Sequence, residues 1–442
     1  MAKVKVVLCV VCMLLPAASW AVYSLDTLDI NRWSVRLTNY GTFGFDPVSL
    51  RAGGEWPRGS GHFYIFGAGL WVGAIPGDTY TAVGYNPNSG ASEFTPGDSI
   101  GGINDVAARV YIYPHDWPPP AGRFPRAPQV RRADQDAWCC FDDFDTTLHE
   151  VHPNGPRRTL GVQVYLTTYA SVAFPAQDFV FLRYEIENQG PDSLKAACAG
   201  IVMDADVGNA TNDNYRGYWH RWFPHGTGDS VFLDNLACVY SQNESGWDTT
   251  GTVAVELIRT PGNQGATAMK IITINNDPAN DIEQYLALAG YDWSIAPPPY
   301  NPIDSQSPIP SDQRSLLATG PFDLAPGQSE SLTAVIIGVN AQPTGDSLRI
   351  FEAAWIAESV YSAGLPQAIN EPPNSTPRTR DDLLPAVARG ALLLPGTQPA
   401  SLLDIAGRRV ARLLPGTNDL RRFAPGIYFV QQGRSRKLVI TR

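Results

Sequence analysis

The segment Met203–Asn214, "MDADVGNATNDN", gathers Asp204, Asp206, Asn209, Asn212, Asp213 and Asn214. Carboxylate and amide oxygens are hard ligands, and a loop that collects several of them after a strand suits calcium. Asp204, Asp206, Asn209 and Asp213 are the expected ligands. The segment is not an EF-hand loop: its glycine falls at the fifth position and Tyr215 stands where the bidentate Glu belongs. The competing reading is a turn in which Asx side chains bond their own backbone. A second acidic run, "CCFDDFD", offers Asp142, Asp143 and Asp145 as a weaker candidate for the same ion.

Directly after the first acidic run comes "NYRGYWHRWFPHGTGD". Tyr218, Trp219 and Trp222 beside Arg221 form an expected aromatic platform, since amphipathic rings flanked by polar groups receive sugars or protein partners. The bland alternative buries these rings under a long loop.

Catalytic strings are present but incomplete. "GDSL" at Gly345–Leu348 has the letters of one class of serine esterases, yet all six histidines end at His225, upstream of Ser347. No downstream base is available to the serine. "LHEVHP" sets His149 and His152 three apart, whereas the zinc-protease helix needs H-E-x-x-H. Asp204 and Asp206 would share one face of a strand, but glycoside hydrolysis needs two carboxyls facing each other across a cleft. The chain therefore reads as a non-enzymatic binding or structural protein. The alternative is a secreted hydrolase acting on glycans or peptides with an unidentified active site, and convergence of Asp204, Asp206 and His220 in a cleft would favour it.

The elements that must hold these residues are strands. "HFYIFGAGLWVGAI", "LGVQVYLTTYASV", "FVFLRYEIENQG", "AACAGIVMDADVG", "SVFLDNLACVYSQN" and "TVAVELIRTP" are rich in Val, Ile, Tyr, Phe and Thr, with Gly, Pro, Asn and Asp between them. In one, Val180, Leu182, Tyr184 and Ile186 alternate with Phe181, Arg183, Glu185 and Glu187. The expected fold is all-β, a large antiparallel β-sandwich body. "GPFDLAPGQSESLTAVIIGVN" reads as a hairpin around "APGQS". One late helix follows at about 346–363, with Asp346 or Ser347 as N-cap and an apolar stripe of Leu348, Phe351, Ala354, Trp355 and Val360. The proline-rich segment 365–382 reads as a linker between the body, 22–364, and a small β module, 383–442.

The N-terminus sets the expected compartment. Lys3 and Lys5, the apolar run Val6–Leu15, and Ser19 and Ala21 make a secretory signal over residues 1–21. That run is too short to span a bilayer, so no transmembrane anchor is expected in the mature chain. Beyond the signal, Cys139, Cys140, Cys198 and Cys238 remain, an even number open to three disulfide pairings in an oxidising compartment. Formal charge is -10 overall but divided: +8 over 383–442 and -20 over 22–382. An acidic body excludes nucleic acid as an expected partner.

The tail holds short strand patterns punctuated by "PGTN", "APG" and "GRS". Its "LLDIAGRRVARL", "LRRFAPGIYFV" and terminal "KLVITR" resemble the C-terminal sorting domain of type IX secretion cargo, an immunoglobulin-like β-sandwich. The matching positions are Asp404, Gly407, Arg408, Gly426, Tyr428 and Lys437. The family's usual Asn-Pro-aromatic opener is replaced by "LLLPGTQPA". The resemblance implies passage across the inner membrane by the Sec route. It then implies recognition by the outer-membrane export machinery and removal of the tail, leaving the body in the medium or at the cell surface. The partner expected of the body itself, from its aromatic residues, is a glycan or a surface layer.

Overall fold

The computed structural model describes residues 23–75, 77–225, 229–242 and 244–365, and then 387–389, 391–394, 398–404, 408–432 and 434–441. The expected signal segment, Gly407, and all of the expected linker beyond Leu365 lie outside the described residues. The chain divides into two compact units, Met1–Ala368 and Ile369–Arg442. No described helix is long and apolar enough to cross a membrane.

The first unit is built from two large antiparallel sheets, as the strand patterning implies. The first sheet runs Ala268–Thr273, Gln313–Leu324, Leu194–Asp204, Gly67–Ala74 and then short strands between Ser34 and Ile65. The second centres on Gln135–Asp142, Val162–Ala170, Phe179–Asn188, Ser329–Val339, Thr252–Arg259, Asp229–Tyr240 and the edge strand Asn214–His225. Their facing residues form one apolar core. The alternation in Phe179–Asn188 is as expected: Val180, Leu182, Tyr184 and Ile186 all enter that core, while Arg183, Glu185 and Glu187 stay at the other face.

The expected hairpin around "APGQS" is not one. Gln313–Leu324 pairs within the first sheet and Ser329–Val339 within the second, so the turn carries the chain from one sheet to the other. The turn after Asn188 does the same, since Leu194–Asp204 also belongs to the first sheet. Alternation identifies a strand but not its partners, and sandwiches are closed by such corners.

The late helix spans Ser347–Ser362, capped by the Asp346 carboxylate accepting from Arg349 N. Its most buried line is Ile350, Ala354 and Ala357, packed on the outer face of the second sheet. Phe351, Trp355 and Val360 flank that line, while Leu348 of the expected stripe is exposed. A second helix, Asp281–Leu288, was not anticipated; it covers the outer face of the first sheet. Its signature is nonetheless in the sequence: Asn280 accepts from Glu283 N, and the Glu283 carboxylate accepts from Ala279 N.

The four cysteines are all free and buried. Each belongs to a different apolar cluster, so the expectation of disulfides fails on geometry. Cys139 and Cys140 are neighbours on one strand and therefore point to opposite faces.

The second unit has a five-stranded and a two-stranded sheet around Leu392, Leu394, Leu402, Leu413, Leu420, Val430, Leu438 and Ile440. Strand Val387–Arg389 joins Arg434–Thr441 in parallel, and the remaining pairs are antiparallel. Arg408, Arg409, Arg412, Arg421 and Arg422 are exposed, which leaves the core wholly apolar.

Candidate functional site

Asp204 closes strand Leu194–Asp204, with Gly67 opposite it on one neighbour and Arg314 on the other. Cross-strand partners share a face, so Arg314 Nε meets Asp204 Oδ1 at 3.1 Å. A side chain at Gly67 would collide with the Tyr85 ring at 2.3 Å. The glycine thus lets that ring lie against the strand, and Tyr85 Oη donates to Asp204 Oδ2 at 2.9 Å. Arg314 Nη1 also reaches Asp312 at 3.2 Å and Asp277 at 3.9 Å. Asp204, Asp206 and Asp312 offer oxygens within 4.8 Å of one another. Together they line a cavity of about 400 Å³ with Asn88, Ser89 and Gly90. Burial raises the Asp204 carboxyl to about 6, against the pull of Arg314 and Tyr85. Burial, with Asp204 and Asp312 nearby, raises Asp206 to about 7.

Two of the expected ligands have other duties. Asn209 accepts from Thr211 N at 3.2 Å, capping a short turn, while its own N–H donates to Glu244 Oε2 at 3.1 Å. This is the Asx turn that competed with the ligand reading, and Asn209 does not join the carboxylate group. Asp213 is fully buried behind the loop, its Oδ1 accepting from Val207 N at 3.3 Å. In their place stands Asp312, far from the acidic run in sequence and brought beside it by the pairing of Gln313–Leu324 with Leu194–Asp204, while Asp277, beyond Ala268–Thr273, reaches the same Arg314.

The other acidic run is spent on backbone. Asp143 accepts from Leu160 N at 2.6 Å and Val162 N at 2.7 Å, Asp142 from Phe144 N at 3.0 Å, and Asp145 from Thr147 N at 2.9 Å. His149 and His152 are buried against the carbonyls of Asp143 and Thr79. Ser347 is the first residue of the late helix.

The aromatic run forms the edge strand Asn214–His225, hairpin-paired with Asp229–Tyr240. Register sets Trp222 opposite Phe232, and by the same register His220 opposite Asp234, all four on one face. Trp222 is 68% exposed and Phe232 42%, with ring centroids 5.2 Å apart. His220 Nε2 lies 3.2 Å from Asp234 Oδ1. Arg221 is exposed on the same strand. Tyr218 is a correction to the platform: it is buried edge-on against Phe351 of the late helix, centroids 4.6 Å apart. Trp219 is partly buried against the main core. The platform is thus Trp222 and Phe232.

Beside those rings the sheet opens. Regular pairing between Asp229–Tyr240 and Thr252–Arg259 stops at Ala237 and Val255. There the Asn235 side chain substitutes for a strand, donating to Leu257 O at 3.0 Å and accepting from Leu257 N at 2.8 Å. The opening is a groove of about 320 Å³ lined by Phe232, Asp234, Glu256, Arg259, Asn263 and Glu358, among others. Glu256 is 3% exposed, and its Oε2 has no hydrogen-bond partner. Burial holds this carboxyl well above the usual carboxylate range, with Glu358 and Asp234 adding to the rise. Asp234 is engaged by His220, Asn235 and Ala266 N, and Glu358 by Arg259. Asp204, Asp206 and His220 do not converge: His220 belongs to this groove's rim and the two aspartates to the other cavity.

In the second unit, Asp404 and Arg408 close the turn between Ala400–Leu403 and Arg409–Leu413. Arg408 N donates to Asp404 Oδ1 at 2.9 Å and Arg408 Nε to Asp404 Oδ2 at 2.8 Å. Gly426 opens strand Gly426–Gln432, Tyr428 Oη donates to Ala424 O at 3.0 Å, and Lys437 stands opposite Phe429 in the register.

No family model matches the chain, and no curated protein matches it. Among solved structures, a putative aldose 1-epimerase from Escherichia coli K12 is similar with a TM-score of 0.30 at 9% identity, over 72% of this chain and 100% of that one. The Aspergillus nidulans amine oxidase scores 0.31 at 8% identity over 75% of this chain and 52% of that one. The Pichia pastoris lysyl oxidase scores 0.26 at 9% identity over 73% and 51%. The chain thus spans about half the length of the two oxidases. Likeness at this level says nothing of activity.

Proposed function

We propose that this chain is a secreted or cell-surface protein whose β-sandwich body binds a hydroxylated ligand, a segment of glycan, in the groove beneath Trp222 and Phe232. The observation that carries the reading is Glu256, a buried carboxyl facing the groove with Oε2 unpaired. A buried polar atom without a partner costs about 1–3 kcal/mol, and a ligand hydroxyl would relieve it. Paired aromatic rings at the rim supply the apolar face on which a sugar ring stacks. The binding role is favoured over turnover because Asp234 and Glu358 are held by cationic or N–H partners, which leaves neither poised as a base opposite Glu256.

The route to that location follows from the two ends of the sequence: a Sec signal at 1–21 and a terminal module that resembles type IX sorting domains, presented to the outer-membrane export machinery. The test of binding is a glycan array probed with wild type and Trp222→Ala; equal binding by both would overturn the platform. The test of export is deletion of Ala400–Arg442 with the protein assayed in medium and at the surface; unchanged export would overturn the sorting role.

A further inference from the structure

The carboxylate group at the end of the first sheet supports a site independent of the groove. We propose that Asp204, Asp206 and Asp312 bind a hard divalent cation of calcium's size, which fastens the 205–213 loop to the sheet. Their oxygens lie within 4.8 Å of one another, close enough for all three to reach one ion at about 2.4 Å.

Charge balance points the same way. Among the described residues, Asp204, Asp277 and Asp312 share one guanidinium, that of Arg314. Arg314 meets Asp204 through Nε and Asp312 through Nη1, and Asp206 takes part in neither pair. Asp277, beside this group, draws on the same guanidinium and is short of positive charge. Its side chain is only 4% exposed, neither of its oxygens accepts a hydrogen bond, and its nearest positive partner is Arg314 at the long distance of 3.9 Å. Buried carboxylates are ordinarily paired or coordinate a metal. The cavity beside Asn88 and Ser89 gives an ion entry and room for water ligands. Tyr85, donating to Asp204 Oδ2, would orient that carboxylate as an outer partner does in metal sites.

Tyr85 also supplies the probe, because a phenol in contact with a ligand carboxylate can sensitise terbium emission. Protein stripped with chelator is titrated with terbium, then with calcium as competitor, and melted with and without calcium. Terbium emission displaced by calcium is expected, with a rise in melting temperature of about 5 °C at a hundredfold excess over Kd. In Asp206→Asn and Asp312→Asn, each tested for native circular dichroism, emission should fall at least tenfold and the calcium shift should vanish. Wild type that shows neither emission nor a shift would overturn the site and leave Arg314 as the sole counter-ion. So would emission that survives in both variants, since the ion would then lie elsewhere. The wild-type arm decides the matter even if a variant does not fold.

Discussion

Asn188 Nδ2 donates to Leu324 O at 2.8 Å, joining two residues 136 positions apart at the corner where the chain twice changes sheets. The same amide donates to Asp192 O at 2.8 Å, and its backbone exchanges bonds with Gly327 N at 2.7 Å and Gln328 O at 2.9 Å. Both corner turns are therefore tied to one side chain.

Replacing Asn188 with Ala leaves two carbonyls at the corner without their donor. The expected loss is about 2–4 kcal/mol, from three hydrogen bonds, that of Gly190 N to Asn188 Oδ1 included, and the desolvation of the abandoned groups. Asn188→Asp should lose as much: its carboxylate can still accept from Gly190 N but cannot donate, and it sets a negative charge against both carbonyls. A urea titration that moves by less than about 0.5 kcal/mol would refute the pinning role.

That corner also marks where the sequence stopped being legible. Alternation in Val180–Glu187 correctly identified a strand and its inner face, because side-chain direction has a period of two whatever the partner. It could not say that the next strand lies in the opposite sheet, a decision made by long-range contacts. The acidic site divides in the same way. Asp204 and Asp206 were visible as a motif, but Asp312 and Asp277 enter only through pairing of Leu194–Asp204 with Gln313–Leu324 and of that strand with Ala268–Thr273. Phe232 and Asp234 were nearer to reach. Once His225 pairs with Asp229, the register sets Trp222 opposite Phe232 and His220 opposite Asp234. Glu256 carried no local signal, since its burial depends on the late helix and the opening beside Asn235.

The cysteines give a prediction that needs no mutation. Burial raises the Cys139 and Cys198 thiols to about 12, so the reactive thiolate is scarce and shielded at neutral pH. Native protein should resist alkylation at Cys139, Cys140, Cys198 and Cys238, whereas unreduced protein in urea should be labelled at all four. A peptide map showing any pair of them disulfide-linked would contradict the separation of the four clusters.

His149 should make the fold acid-sensitive. Its ring is buried, Nε2 is bonded to Asp143 O at 3.1 Å, and Nδ1 faces Glu93 at 3.6 Å. Burial lowers its value from 6.5 to about 4, so between those two values the unfolded chain binds a proton that the folded chain refuses. The contribution is fully present above pH 6.5 and is lost as pH falls toward 4. Neighbouring Asp143, raised to about 7 by burial, acts in the opposite sense, favouring the fold as pH falls. The informative quantity is therefore the difference between wild type and His149→Gln. Urea midpoints of the variant should decline less between pH 6.5 and pH 4.5, the gap reaching about 2 kcal/mol. Parallel curves would show that His149 does not titrate against the fold.

Glu256 and Trp222 can be separated by what each contributes to the groove. Trp222→Ala removes a stacking face from an exposed edge, so ligand affinity should fall about tenfold, or about 1.4 kcal/mol, with stability unchanged. At Glu256 the question is which hydrogen-bonding atoms the ligand meets. Burial keeps the carboxyl above its ordinary range, which favours the protonated form, and a protonated carboxyl both donates and accepts. Glu256→Gln preserves both abilities and should bind within about threefold of wild type, whereas Glu256→Leu preserves neither and should bind at least tenfold more weakly. Stability has its own sign: a raised folded value favours the fold at low pH and loses that advantage as pH rises through it. Wild type should therefore weaken, in both folding and binding, as pH rises above the ordinary carboxyl range and through the raised value, and Glu256→Gln should not. If Glu256→Gln abolishes binding while Glu256→Leu retains it, the groove's occupant is apolar there and the glycan assignment fails.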